Sequence, residues 1–275
     1  MIKLKIDNAT TFHSDITQSN NIHTNHVLRL RLGICLQKIV APPNTFKDFG
    51  GVGFTVRNWR EAEWFRFWRQ VFDQSEHWNN KFWLIPPANF TAFDFTSGGV
   101  KYRPNVKCSL FVQIWNNPGN AHKNIRVAKL AESHVGDSTL FRSDALTYDS
   151  LDGVPHAFQV PDNEGNITNI IHYTIPHEIG HALGQPHIGI LRNTQACTDA
   201  VAGNPGDSFS DGGSNSLRCY GWGEAPSISE NIMGFGLKFD TVNAKPWQER
   251  VAEHTSTTWN NWRVSMTEVM PAIVV

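Results

Sequence analysis

Within eleven consecutive residues, His177-Glu178-Ile179-Gly180-His181-Ala182-Leu183-Gly184-Gln185-Pro186-His187, stand three histidines and a carboxylate. His177 and His181 are four apart, so on a helix they lie one turn apart on one face and can aim two imidazole nitrogens at a single metal ion. Glu178 sits one residue along, close enough to serve a metal-bound water without being a ligand. Gly184 lets the helix stop, because glycine takes the left-handed conformation at no steric cost. His187, beyond that break, can return as a third ligand. Three protein ligands leave the fourth tetrahedral position to water, which is how catalytic zinc differs from structural zinc. The plainer alternative is an ordinary helix that carries HExxH by chance. Gly184 and His187 at their further fixed offsets are what set it aside.

The extended pattern resembles the signature of the metzincin metalloproteases. That resemblance implies a methionine-containing turn beneath the metal, and Asn231-Ile232-Met233-Gly234 is where it would fall. Of the four methionines, Met1 opens the chain and Met266 and Met270 lie in its tail. Gly234 and Gly236 suit a tight turn there. The resemblance further implies one zinc ion on His177, His181 and His187, peptide-bond hydrolysis by a zinc-activated water, and Glu178 as general base and then general acid. The implied fold is α/β in the α+β sense, a twisted mixed sheet of about five strands with an active-site helix, a core helix and a C-terminal helix. A cleft would separate two subdomains of one metalloprotease domain spanning 1–275: an upper one (27–187) holding the zinc helix, behind an N-terminal extension (1–26), and a lower one (188–275) holding Met233 and the C-terminal helix. One position departs from the pattern. Some metzincins carry a tyrosine two residues after the turn methionine as a movable metal ligand and oxyanion donor. Here Phe235 stands there without a hydroxyl, so any oxyanion donor besides zinc must come from elsewhere.

The elements that would position these residues show in the apolar pattern. Residues 27–36 alternate, with Arg29 and Arg31 between apolar side chains, and are expected to form the first strand. Pro42, Pro43, Gly50, Gly51 and Gly53 mark a loop. Asn58 and Glu61 have capping-box spacing for a helix in which Trp64, Phe65, Trp68, Val71 and Phe72 make an apolar stripe, with Arg60, Arg66 and Arg69 largely off it. Aromatic residues beside arginines also describe a membrane-surface helix, but a core helix packed on a sheet needs the same stripe and is the expectation. Residues 81–86 and 108–115 read as strands, and 116–120 as a turn. The metzincin order makes 125–131 the antiparallel edge strand, to which an extended peptide could add. Residues 145–148 are the expected last strand before a long loop. Pro176 belongs in the first turn of a helix, so the active-site helix should start near Tyr173 or Thr174, or else kink there if it begins at Asn169, with His172 outside the ligand set. Pro246 opens a C-terminal helix to about Thr258, followed by anchoring Trp259 and Trp262, and His254 reads as a surface or core histidine.

A chain of 275 residues with 40% apolar content can bury a large core as one domain, and a net charge of −1 gives no pull toward nucleic acid. No apolar run reaches the ~18–20 residues of a membrane span. The N-terminal Met-Ile-Lys-Leu-Lys-Ile alternates like a strand instead of forming the apolar core of a leader. The chain then stays inside, leaves by a route that needs no cleaved leader, or has its leader outside this sequence; secretion or injection by a leaderless route, as for a bacterial protease or toxin, is favoured over a cytoplasmic place. The resemblance implies a protein or peptide substrate, and a monomer is the expectation. Cys197 and Cys219 bracket a loop rich in Gly, Ser, Asn and Asp that has little else to hold it, so a disulfide between them is favoured over four free thiols. Cys35 and Cys108 fall in strand-like runs as small buried side chains. Asn204-Pro205-Gly206-Asp207 and Asp211-Gly212-Gly213 raise a structural calcium site, but the spacing matches no defined calcium loop and a solvated loop is favoured. Two other functions stay open: a zinc amidohydrolase acting on a non-protein amide such as that of peptidoglycan, and a catalytically idle zinc-binding module. Glu178 speaks against the second, since metal binding alone has no need of that carboxylate.

Overall fold

The computed structural model describes residues 3–6, 13–18, 25–40, 45–48, 51–131, 143–203, 213–268 and 270–275. The fold is mixed α+β, in two units. One comprises Met1–Gly33, Glu76–Gln113 and Asp240–Val275, the other Ile34–Ser75 and Ile114–Phe239.

Strands β1 (Lys3–Ile6) and β2 (His13–Thr17) pair antiparallel, and β2 pairs antiparallel with β3 (His26–Lys38). The alternating run 27–36 is therefore the third strand and not the first. Strand β2 escapes an apolar pattern because Ile16 is its one large apolar residue; an ion pair from Arg31 to Asp15 (2.6 Å) helps hold it to β3. In β3, Leu28, Leu30, Leu32 and Ile34 are fully buried, as the alternation requires. Short strands β4 (Thr45–Lys47) and β5 (Gly53–Thr55) make a hairpin where the prolines and glycines mark a loop.

Helix α1 (Glu61–Ser75) begins later than the Asn58–Glu61 spacing suggests: the Glu63 carboxylate accepts from the N–H of Arg60 (3.2 Å), closing the first turn. Its buried face is Phe67, Val71 and Ser75, with Trp64 and Trp68 half-buried. Phe65 and Phe72, expected within the stripe, are 64% and 36% exposed. The apolar arc is wider than the packed seam, and Phe67 lies at the centre of that seam.

The chain continues through β6 (Trp83–Ile85), β7 (Phe95–Ser97), β8 (Val100–Arg103), β9 (Val106–Trp115), β10 (Lys123–Ala128) and β11 (Thr147–Asp149). Then come β12 (His156–Pro161), β13 (Ile167–His172) and helices α2 (Thr174–Ala182), α3 (Ile188–Leu191), α4 (Gln195–Val201) and α5 (Pro226–Ser229). Helix α6 (Lys245–Thr255) and strands β14 (Arg263–Ser265) and β15 (Ile273–Val274) end it. In the first unit the strand order is β1-β2-β3-β9-β6-β14, already more than the about five strands expected of the whole chain. Its core gathers Trp78, Phe82, Trp247 and Trp262, all fully buried, with the Trp247 indole donating to the carbonyl of Ser109 (3.0 Å). Helix α6 stops at Thr255, short of Thr258, because Ser256 takes the left-handed conformation (φ 53°).

In the second unit β10 runs parallel to both the 34–38 stretch of β3 and β11. This corrects the expectation of an antiparallel edge strand at 125–131: β10 is paired on both sides, and the edge is the three-residue β11. Alternating lysine and arginine suit either arrangement, since strand direction is not written in one strand's own pattern. The long loop expected after 148 holds the antiparallel hairpin β12–β13, whose inward side chains Phe158, Val160, Ile170 and His172 sit just ahead of α2. Helix α1 packs against α2, so α1 is a core helix of this unit.

Candidate metal centre

Helix α2 follows Tyr173, and Pro176 falls in its first turn, where a missing N–H costs nothing. The helix closes by two reversed hydrogen bonds, Gly184 N–H to the carbonyl of His181 and Gln185 N–H to that of Gly180, both 2.9 Å, with Gly184 at φ +85°. Because the chain turns back there, His187 meets His181: their Nε2 atoms are 3.1 Å apart. His177, His181 and His187 offer ligand atoms that all lie within 4.8 Å of one another, a group that could hold a metal ion. His177 and His187 are buried, and His181 is partly open.

Each imidazole is held from behind by a backbone carbonyl. His177 Nδ1 donates to Ile232 (2.9 Å), His181 Nδ1 to Gln185 (2.7 Å) and His187 Nδ1 to Ser214 (2.6 Å). A carbonyl only accepts, so Nδ1 carries the proton in all three rings and Nε2 keeps its lone pair. Desolvation drives the pKa of His177 well below its ordinary value, lowers that of His181 and takes His187 to about 3. Burial thus favours the neutral form of the rings, the form a metal would need. His177 Nε2 is moreover buried with no hydrogen-bond partner among the described residues, an orphaned acceptor that a cation would satisfy.

Glu178 lies on α2 beside His177 and is buried, with its Oε2 also lacking a partner among the described residues. Burial first, and then the charge of Asp144, push its carboxyl up to about 8. A cation at the three Nε2 atoms opposes that shift, because an opposite charge favours the ionised carboxylate. The donor set thus fits a metal ion on two counts, the free lone pairs and the stranded carboxyl.

Met233 is completely buried in a turn where the Asn231 side chain accepts from the N–H of Met233 (2.9 Å) and the N–H of Gly234 donates to the carbonyl of Asn231 (2.8 Å). The turn reaches the group of three histidines through its backbone. The Ile232 carbonyl holds His177, and the Met233 carbonyl accepts from the N–H of Ile188 (2.9 Å), next to His187. Gly234 and Gly236 serve close approach: a Cβ there would stand 2.6 Å from the Tyr220 carbonyl and 2.1 Å from the Glu230 carbonyl.

Phe235 packs with Val160 and Ile170, against the half-buried rings of Phe158, Tyr220 and Trp222. Tyr220 is the residue that the motif does not disclose. Its ring centroid is 3.9 Å from that of His187, and it stacks within 7° of the His177 plane at 5.3 Å. The only sequence signal for it is its place directly after Cys219, which is disulfide-bonded to Cys197. Cys35 and Cys108 are free and buried. His172 lies beside His177, with ring centroids 5.2 Å apart, and is not among the three histidines that could hold a metal ion. Residues 204–212, where calcium ligands were considered, lie outside the described residues. No helix among the described residues is long and apolar enough to cross a membrane. No family model, curated protein or solved structure matches the chain.

Proposed function

We propose that the chain is a zinc-dependent endopeptidase of the metzincin type, with His177, His181 and His187 as the zinc ligands and Glu178 as general base and acid. The observation that carries this reading is the convergence of three Nε2 lone pairs, each ring oriented by a carbonyl on its Nδ1, beside a buried carboxyl that is not one of them. Zinc held there supplies Lewis acidity, making a water acidic near neutral pH and polarising a scissile carbonyl. Glu178 accepts the proton of the attacking water and returns it to the departing amine, one carboxylate serving in both directions. Phe235 supplies only an apolar wall. Core helix α1 against α2, the buried Met233 turn and α6 after it support the metzincin type, and the Cys197–Cys219 bridge supports an oxidising, exported setting.

The test is cleavage of casein and of a peptide library by wild type, Glu178→Ala and chelator-treated protein, with the cut sites mapped by mass. Cleavage by wild type alone is expected. Equal cleavage by wild type and Glu178→Ala overturns the mechanism. No cleavage by any sample, with zinc bound, turns the reading to a non-protein amide or to an idle metal module.

A further inference from the structure

We propose that the Cys197–Cys219 disulfide locks the third metal ligand, so that forming this bridge raises the chain's affinity for its metal and lacking it lowers that affinity through His187. The proposal rests on the three-histidine metal centre and not on the reaction assigned to it.

Three contacts lead from the bridge to His187, and they are of different kinds. The carbonyl that orients His187 belongs to Ser214, which lies between the two cysteines in sequence. The ring lying over His187 belongs to Tyr220, the residue after Cys219. Gly189, two residues past His187, donates its N–H to the Cys219 carbonyl (2.8 Å) and is packed so closely on the bridge that a Cβ would stand 2.8 Å from Cys197 Cβ and 2.9 Å from the Cys219 backbone. A glycine is needed there because the disulfide occupies the space of a side chain.

The other two ligands are anchored differently. His177 is held by Ile232 of the methionine turn and His181 by Gln185 at the end of its own helix. Without the bridge, the segment that carries Ser214 and Tyr220 loses its covalent tie to α4, while the carbonyls that hold His177 and His181 keep their anchors and His177 loses at most the Tyr220 ring stacked on it. The ligand set then falls from three fixed rings toward two. A chain whose cysteines are reduced holds metal less tightly than the same chain after export to an oxidising compartment, which ties metal loading to location. Closure itself is thiol–disulfide exchange. The thiolates of Cys197 and Cys219 give up two electrons to a small disulfide oxidant such as oxidised glutathione, the protein S–S bond forms, and the oxidant leaves as two thiols that take up the two protons.

The experiment measures zinc affinity by competition with a chromophoric chelator on the full chain, with far-ultraviolet circular dichroism confirming the fold. Cys197→Ser/Cys219→Ser is expected to bind zinc about 10- to 100-fold more weakly than wild type, the usual effect of losing an outer-shell support. Tyr220→Ala, with the bridge intact, should weaken it in the same direction, and Tyr220→Phe, which keeps the ring, should restore it. In a His187→Ala background most of the bridge's effect should vanish, since two of its contacts, Ser214 and Tyr220 at 3.9 Å, act on that ring and only the more distant Tyr220 stack reaches His177. Unchanged affinity in the folded cysteine variant overturns the proposal, as does an equal loss in the His187→Ala background, which marks general loosening. Should the cysteine variant not fold, the Tyr220 pair decides: Tyr220→Ala binding as tightly as wild type overturns it. Failure of oxidised wild type to bind zinc overturns the lock and the metal centre together, whereas peptide cleavage does not enter the readout.

Discussion

Glu178 and His177 are sequence neighbours, yet their chemistry separates cleanly, because one offers a lone pair to the shared centre and the other is a buried carboxyl outside the ligand set. Glu178→Gln should therefore leave zinc affinity within a few-fold of wild type while lowering peptide cleavage by about 10²- to 10⁴-fold, the range for removing a general base. Chelator competition and a fluorogenic peptide assay on the same preparation check both halves; a parallel fall in affinity would make the carboxylate a ligand or a structural prop. Residue types and offsets within 177–187 suffice to place the three histidines together, Glu178 beside them and the helix stop, since all but His187 lie on one helix and the turn that ends it. Tyr220 stays hidden from that reasoning. It reaches His187 across 33 residues of chain, and although the bridge beside it is legible from its loop, nothing in the residues around Tyr220 says that its ring lands on His187.

Helices and strands were legible in proportion to how much of their order is apolar periodicity. Strand β3 and helix α2 stand where alternation and the proline–glycine boundaries put them. Helix α1 shows the limit, because the apolar arc includes both rings that pack and rings that do not. Phe67→Ala should destabilise the fold by about 3–5 kcal/mol, the cost of emptying a buried phenylalanine site. Phe65→Ser, on the exposed flank, should change stability by only about 0.5 kcal/mol or less. Urea unfolding of the two variants tests the seam; equal losses would place Phe65 in the core. Gly184→Ala belongs to the same scale, because φ +85° at the end of α2 forces any Cβ into the left-handed region, at about 1–2 kcal/mol. That loss should be accompanied by weaker zinc binding, since the turn at Gly184 is what brings His187 back to His181. Strand β2, held by Asp15 and Arg31, the direction of β10 and the β12–β13 hairpin were not legible. Each is decided by a partner strand and not by the strand's own residues.

Stability against pH is a property of the whole chain, and two sets of buried groups oppose each other in it. Burial lowers His26 and His172 to about 4, so the unfolded chain takes up their protons first and stability rises with pH between about 4 and 6.5. Asp149 and Asp152 act in the other direction. Both are buried, Asp149 at the end of β11 and Asp152 just past it, where Asp152 Oδ2 accepts from Ser143 Oγ (2.6 Å) and the N–H of Asp149 (2.7 Å), and Asp149 accepts from the N–H of Leu151. Desolvation raises Asp149 to about 7, against the hydrogen bonds from Leu151 and Asp152 and the charge of Lys129. Desolvation, then the charge of Asp149 and, more weakly, that of Glu178 hold Asp152 well above the carboxylate range. The unfolded chain releases these protons near pH 4 and the fold keeps that of Asp149 until about 7. Over that window the native state binds more protons, and its stability falls as pH rises, by up to about 1.4 kcal/mol per pH unit for each proton. Asp149→Asn keeps an acceptor for Leu151 and removes one of the two titrations. Its unfolding free energy relative to wild type should therefore climb steadily from pH 4.5 to 7, with the histidine contribution cancelling between the two proteins. Urea titrations at four pH values in that range, on metal-free protein, measure the difference; a flat difference would mean that Asp149 loses its proton in the fold as readily as in the unfolded chain.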